Sequence, residues 1–199
     1  MSDLISTPLA PNLRVAISDF RGEQLLESLD LTLAPLESAD VALFFVSASD
    51  GIDAAGIELW NQAREFYVPS IVVVDQLENS EIDFDDMSAI AGRLLDPVVT
   101  PYLVLHSDEG APIALIDLDS LKLSNYSSGH RAITESDPEH KVLVFEFRKE
   151  YLEALEAAGD GAFEQGLLYP AIPYLPENNL GREEIANYLG KIEPLPSGS

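Results

Sequence analysis

Val41-Ala42-Leu43-Phe44-Phe45-Val46 is an unbroken apolar run. Behind it Ile52, Ile57, Trp60, Ala63 and Phe66 recur at helical spacing, and Ser70-Ile71-Val72-Val73-Val74 follows, stopped by Asp75. The two flanking runs are short enough for strands, and strands without polar alternation are buried on both faces. Strand, helix and strand in that order predict an α/β fold, a parallel sheet sandwiched between helices.

The same alternation extends in both directions. Upstream, Leu13 to Ser18 reads as a strand emptying into a loop at Asp19. Residues 22–37 carry Leu25, Leu26, Leu29, Leu33 and Leu36 at helical spacing, disturbed by Pro35 near the end. Downstream, residues 83–95 return to a helical pattern through Phe84, Met87, Ile90 and Leu94. In such sheets the loops at the carboxyl ends of the strands form the ligand site. Asp19 to Gly22, Ser47 to Gly51 and Asp75 to Glu78 are therefore expected at one rim.

At Pro97 the pattern changes. Residues 98–106, 111–118, 121–126 and 141–147 read as strands without intervening helices, with Asp108-Glu109-Gly110 as a hairpin turn. A charged helix is expected over 148–158, a returning strand over 167–175 and a closing helix over 182–189. This divides the chain into a core over 12–96, an inserted α+β subdomain over 97–160 and a return to the core over 161–193. Flexible ends are expected at 1–11 and 194–199.

The 199 residues include 11 Lys and Arg against 35 Asp and Glu, a formal net charge of -24. Nucleic-acid affinity rests on cationic side chains displacing counterions, so direct binding to RNA, DNA or an anionic membrane is not expected. Acidity of this kind serves solubility, or it suits a basic protein partner. With no cysteine, disulfides and thiolate metal sites are excluded. The N-terminus lacks the pattern of a signal peptide and no apolar run approaches the length of a membrane span, so the chain reads as cytoplasmic.

Ala39-Asp40-Val41 to Val46, then Asp50-Gly51-Ile52, Glu58-Leu59-Trp60-Asn61-Gln62-Ala63 and Val68-Pro69-Ser70 to Val74, resemble the nucleotide-binding domain of translational GTPases of the elongation factor G kind. The likeness continues through 100–126, which resembles the insertion of that domain, and through 162–196, which resembles its end. The resemblance implies a P-loop-NTPase-like sheet, here truncated, with helices on both faces and a small antiparallel β insertion. It also implies that the domain's first strand and phosphate loop precede the point where this chain begins. The resulting gap in the sheet is expected to be refilled by residues 4–16, by a reordered sheet, or by a second subunit pairing at the exposed edge.

The family's chemistry needs a glycine-rich loop followed by Lys and Ser or Thr, to supply backbone N–H groups, a cation and a Mg²⁺ ligand. That pattern is absent from this sequence. The resemblance makes Asp19-Phe20-Arg21-Gly22 a remnant of the Asp-x-x-Gly that senses Mg²⁺, followed by Glu23 where the family has a His. It makes Asp75-Gln76-Leu77-Glu78 a remnant of the guanine-reading Asn-Lys-x-Asp. The expectation is a degenerate domain with no catalytic residue, no metal and no cofactor, acting as a protein-binding or regulatory module. Its partner would be a protein, basic or ribosomal. The alternative is a reduced GTPase domain that retains weak GTP or GDP binding with Mg²⁺ through Asp19, Gly22, Asp75, Gln76 and Glu78.

Other candidates read as structural. His106, His130 and His140 are scattered without metal-ligand spacing. Asp83, Asp85 and Asp86 suit the acidic first turn of a helix. Trp60 lies on an apolar stripe and is expected in the core.

Overall fold

The computed structural model describes residues 8–78 and 80–195. A six-stranded parallel sheet runs through the larger part, built from β1 (Arg14–Ile17), β2 (Thr32–Leu33), β3 (Val41–Ser47), β4 (Ser70–Asp75), β5 (Val98–Val99) and β10 (Tyr169–Pro173). Their order is β2-β1-β3-β4-β10-β5. Helices α1 (Gly22–Ser28), α2 (Ala54–Glu65), α3 (Phe84–Leu94) and α6 (Arg182–Leu189) connect or follow them. The smaller part is a four-stranded antiparallel sheet of β6 (Tyr102–His106), β7 (Pro112–Asp117), β8 (Lys122–Asn125) and β9 (Ala132–Glu135), in that order. Helices α4 (Pro138–Leu143) and α5 (Phe145–Ala158) follow it.

The deciding stretch folds as read. Every residue of β3 and β4 is buried, and the two strands pair in register from Ala42 opposite Ser70 to Ser47 opposite Asp75. Asp53 caps α2 by accepting from the Gly56 N–H at 2.6 Å. Trp60 on that helix is fully buried, with its ring edge-on to Phe44 and Tyr169. Its indole N–H donates to Asp96 at 2.8 Å, so the one polar atom of the side chain is satisfied. Asp83 caps α3 through the Asp86 N–H at 2.8 Å, so part of the chain's acidity serves helix starts. No group of three or more metal-ligating side chains occurs among the described residues.

The expected gap beside β3 is filled from within. β1 occupies an internal position and pairs with β3 from Val15 opposite Val41 to Ile17 opposite Leu43. Residues 4–7 of the expected filler lie outside the described residues, as do residues 1–7 and 196–199 of the expected ends.

Three readings are corrected. The helix expected over 22–37 stops at Ser28; Asp30 takes a positive φ of 54°, and Thr32–Leu33 becomes the edge strand β2 before a single 3₁₀ turn at Leu36–Ser38. The strand expected over 141–147 is helical. Asp137 caps the start of α4 through the His140 N–H at 2.8 Å, with Pro138 at the first helical position, and only Val144 of the apolar run 142–145 is buried. The fourth strand of the small sheet is instead β9. The run 98–106 divides at Thr100-Pro101, so β5 joins the main sheet through β10 while β6 opens the small one.

The two sheets are joined at α6. Glu184, fully buried, accepts the Tyr126 hydroxyl at 2.5 Å and pairs with Arg131 at 3.1 Å, and both partners come from the antiparallel part. Burial drives the Glu184 carboxyl above its ordinary pKa, against the opposing pull of Arg131 and Tyr126.

Candidate functional site

The carboxyl ends of β1, β3 and β4 present their loops side by side, as this topology dictates. The Ser18 N–H bonds the Leu43 carbonyl at 3.0 Å, and the Phe45 N–H donates to the Ser18 hydroxyl at 2.9 Å. The Ala48 N–H bonds the Asp75 carbonyl at 3.0 Å, and the Ser47 hydroxyl donates to the Gln76 side-chain oxygen at 2.5 Å. Gln76 takes a positive φ of 55°, so the chain turns sharply after β4. The structure therefore brings Asp19, Gly22, Asp75, Gln76 and Glu78 to one rim.

At its centre lies a residue that the sequence pattern did not single out. The Arg21 guanidinium reaches across the rim and donates to both Asp75 oxygens, at 2.6 and 2.9 Å. On its other side it bonds Asp19 at 2.9 and 3.3 Å, while the Arg21 backbone N–H bonds the same carboxylate at 2.9 Å. The Asp19 pair, made through two guanidinium nitrogens, is the stronger bidentate kind, while both Asp75 contacts come from the one nitrogen Nη1, and Arg21 is partly shielded from water. Asp19, which the resemblance makes a Mg²⁺ sensor, is thus committed to an arginine two residues away. Only its place between two candidate carboxylates could have marked Arg21 in the sequence.

The Asp19–Gly22 segment is also placed differently from the remnant it resembles. It is the turn from an internal strand, β1, directly into the first turn of α1. That is the strand–loop–helix connection in which P-loop folds hold their phosphate loop. Gly22 opens α1 packed so tightly that an added Cβ would lie 2.7 Å from Phe45 and 2.9 Å from Ile17. Glu23 and Gln24 follow it.

Arg21 divides the rim into two clefts. The larger, about 510 Å³, lies between α1 and the loop after β10, and its charged walls include Glu23, Glu27, Asp75, Glu78 and Glu177. The smaller, about 260 Å³, lies toward Asp50, Gly51 and Asp53. One Glu78 oxygen is buried without a hydrogen-bond partner among the described residues. Burial raises the Glu78 carboxyl pKa, and the neighbouring Glu177 carboxylate raises it further. A wider cleft of about 580 Å³ opens at the opposite ends of the strands, beside Phe66, Tyr67 and Leu195.

Burial pushes the Asp75 carboxyl up to about 6; Arg21 opposes the rise and Asp19 adds to it. At Asp19 burial also pushes upward, but the Arg21 hydrogen bonds outweigh it and the net shift is downward. Between its ordinary value of 3.8 and about 6, folded Asp75 holds a proton that the unfolded chain has released. Its contribution to stability is therefore full below the lower value and lost as pH rises through the upper one. A shift of about two units sets a ceiling of about 3 kcal/mol, and solvent at the rim reduces this to about 1 kcal/mol. The stability of the wild type minus that of Asp75→Asn, from urea melts, should fall by about that much between about pH 4 and about pH 7. A difference that is flat or rises over this window contradicts the assignment.

No protein-family model matches the chain. Two elongation factor G-like proteins of Mycobacterium tuberculosis, from strains CDC 1551 / Oshkosh and ATCC 25618 / H37Rv, are each 26% identical to it, over 82% of this chain and 26% of theirs. The chain spans about a quarter of the length of these relatives. A crystal structure of a protein from Thermus thermophilus matches with a TM-score of 0.69 at 26% identity, covering 80% of this chain and 27% of that one. No helix among the described residues is long and apolar enough to cross a membrane. In sequence and fold this chain resembles a translational GTPase domain and is similar to part of the elongation factor G-like proteins.

Proposed function

We propose that the chain is a non-catalytic member of this group, a protein-binding or regulatory domain that neither hydrolyses GTP nor holds it. The observation that carries the reading is the Arg21 latch. The cation at the rim is already neutralised by Asp19 and Asp75. A phosphate chain entering here would have to displace two carboxylates bonded to it.

The side chains around the latch point the same way. A phosphate loop reads Gly-x-x-x-x-Gly-Lys-Ser/Thr between its strand and helix. Aligned on Gly22 at the start of α1, the first glycine is Ile17, the lysine is Glu23 and the Mg²⁺-binding hydroxyl is Gln24. Ile17 has a side chain where the backbone should approach the ligand, and Glu23 reverses the charge. At about 4 Å and an effective dielectric of about 20, two like charges repel by about 4 kcal/mol. Glu27, Glu78 and Glu177 add to that field. Asp19 and Asp75, the two carboxylates nearest the loop, are both committed to Arg21.

What remains is an acidic rim on a chain of net charge -24. That field favours a cationic protein partner, a basic ribosomal protein among the candidates, over nucleic acid or an anionic membrane. Without a cofactor or metal the domain would act in the cytoplasm through its surfaces alone. The test is release of labelled phosphate from GTP with Mg²⁺ in excess protein. No release above buffer is expected. A rate of about 10⁻⁴ s⁻¹ or faster, the intrinsic scale of small GTPases, would contradict the proposal.

A further inference from the structure

Phe20 takes no part in the latch that its neighbours form. It sits on the loop between β1 and α1 with 78% of its surface exposed. On the side facing the sheet edge, Phe20 borders an apolar cleft of about 520 Å³ formed with Ile17, Leu33, Ala34 and Pro35. Leu33 is itself 54% exposed and belongs to β2, which pairs only with β1 and so leaves its outer edge open among the described residues. Two large exposed apolar side chains bordering one groove beside an open strand edge make a docking surface.

The charges around the groove decide what occupies it. Asp19 and Glu23 line it, and the nearby cation, Arg21, is already paired. A second copy of this chain meeting the groove about a two-fold axis would bring Asp19 and Glu23 against their own copies. It would also bring together two molecules of net charge -24. We infer that the groove receives an apolar segment of another protein flanked by lysine or arginine, with Phe20 and Leu33 as its anchors and Glu23 as its charge partner. Exposed aromatic side chains at the centre of an interface carry much of its binding energy, while rim charges set specificity and encounter rate. This inference rests on the protein-binding reading and names the surface and partner chemistry that reading lacks.

The probe is a short fluorescent peptide of leucine and lysine, compared with one in which serine replaces leucine and one in which glutamate replaces lysine. Anisotropy should show binding of the leucine–lysine peptide, weaker binding of the serine–lysine peptide and none of the leucine–glutamate peptide. Phe20→Ser with Leu33→Ser should weaken leucine–lysine binding by about tenfold or more and leave serine–lysine binding unchanged. Both residues are exposed, so the variant should melt as the wild type does. Glu23→Lys, with both anchors intact, should weaken the leucine–lysine peptide on its own. Equal binding by the double variant, or binding of the glutamate peptide, overturns the inference. So does a concentration-dependent dimer in sedimentation that the double variant abolishes, since that assigns the groove to a second copy. GTP binding by the same protein would instead remove the reading beneath it, whereas silence toward GTP with an unaffected double variant removes the groove alone.

Discussion

Gly181→Ala is expected to destabilise the domain by about 3–5 kcal/mol, a large share of the roughly 5–15 kcal/mol that holds an ordinary domain folded. Gly181 precedes α6 with a φ of 86°, in the left-handed region that an alanine occupies only under strain. Space is the larger difficulty. An added Cβ would stand 1.7 Å from the Pro173 carbonyl oxygen and 3.3 Å from the Tyr174 Cα. Neither is the end of a flexible side chain, so β10 or α6 would have to move. β10 pairs with β4 on one side and β5 on the other, which ties the damage to the central sheet. Urea denaturation followed by circular dichroism measures the loss; a variant within about 1 kcal/mol of wild type would mean that α6 is not packed against β10 in this way.

Glu184→Ala should cost a comparable amount, about 3–5 kcal/mol, because it strands a charge rather than because the ion pair is itself stabilising. Without Glu184, the half-buried Arg131 loses its carboxylate and the buried Tyr126 hydroxyl loses its acceptor. The sign is consistent with the raised Glu184 pKa, since burial penalises its charged form and the group contributes most when protonated. Replacing Glu184 and Arg131 together by methionine should therefore recover much of the loss. If the double variant is as unstable as the single one, the pair does not hold the small sheet to α6 as the geometry indicates.

These two positions also show where sequence reasoning reached and where it stopped. The parallel core was legible because β3 and β4 are apolar on every residue but their polar ends, a pattern with few other solutions. The closing helix expected over 182–189 is α6, and the rim followed from the rule that loops gather at strand ends. The run 142–147 misled because Val-Leu-Val-Phe is β-prone, while Asp137-Pro138 just before it starts a helix. A local cap outweighed intrinsic preference, leaving Val142, Leu143, Phe145 and Phe147 exposed on α4 and α5. The weak strand β9, exposed at all four residues, gave no apolar alternation to find.

The site was half legible. Asp19, Gly22, Asp75, Gln76 and Glu78 were placed together because the fold brings those loops together. The latch was not visible, because Arg21 acquires its meaning only from Asp75, which is 54 residues away. The four-residue pattern Asp-x-x-Gly was equally silent about topology. Only the position of β1 between β2 and β3 shows that the segment links an internal strand to the sheet's first helix.

The most direct test of the central claim is calorimetric titration of nucleotide-free protein with GTP and with GDP in the presence of Mg²⁺. At a protein concentration of about 0.1 mM a latched, acidic rim predicts no heat beyond dilution, which places any dissociation constant above roughly millimolar. Saturable micromolar binding, weakened by Asp19→Ala or Glu78→Ala, would contradict it and make the rim a working nucleotide site.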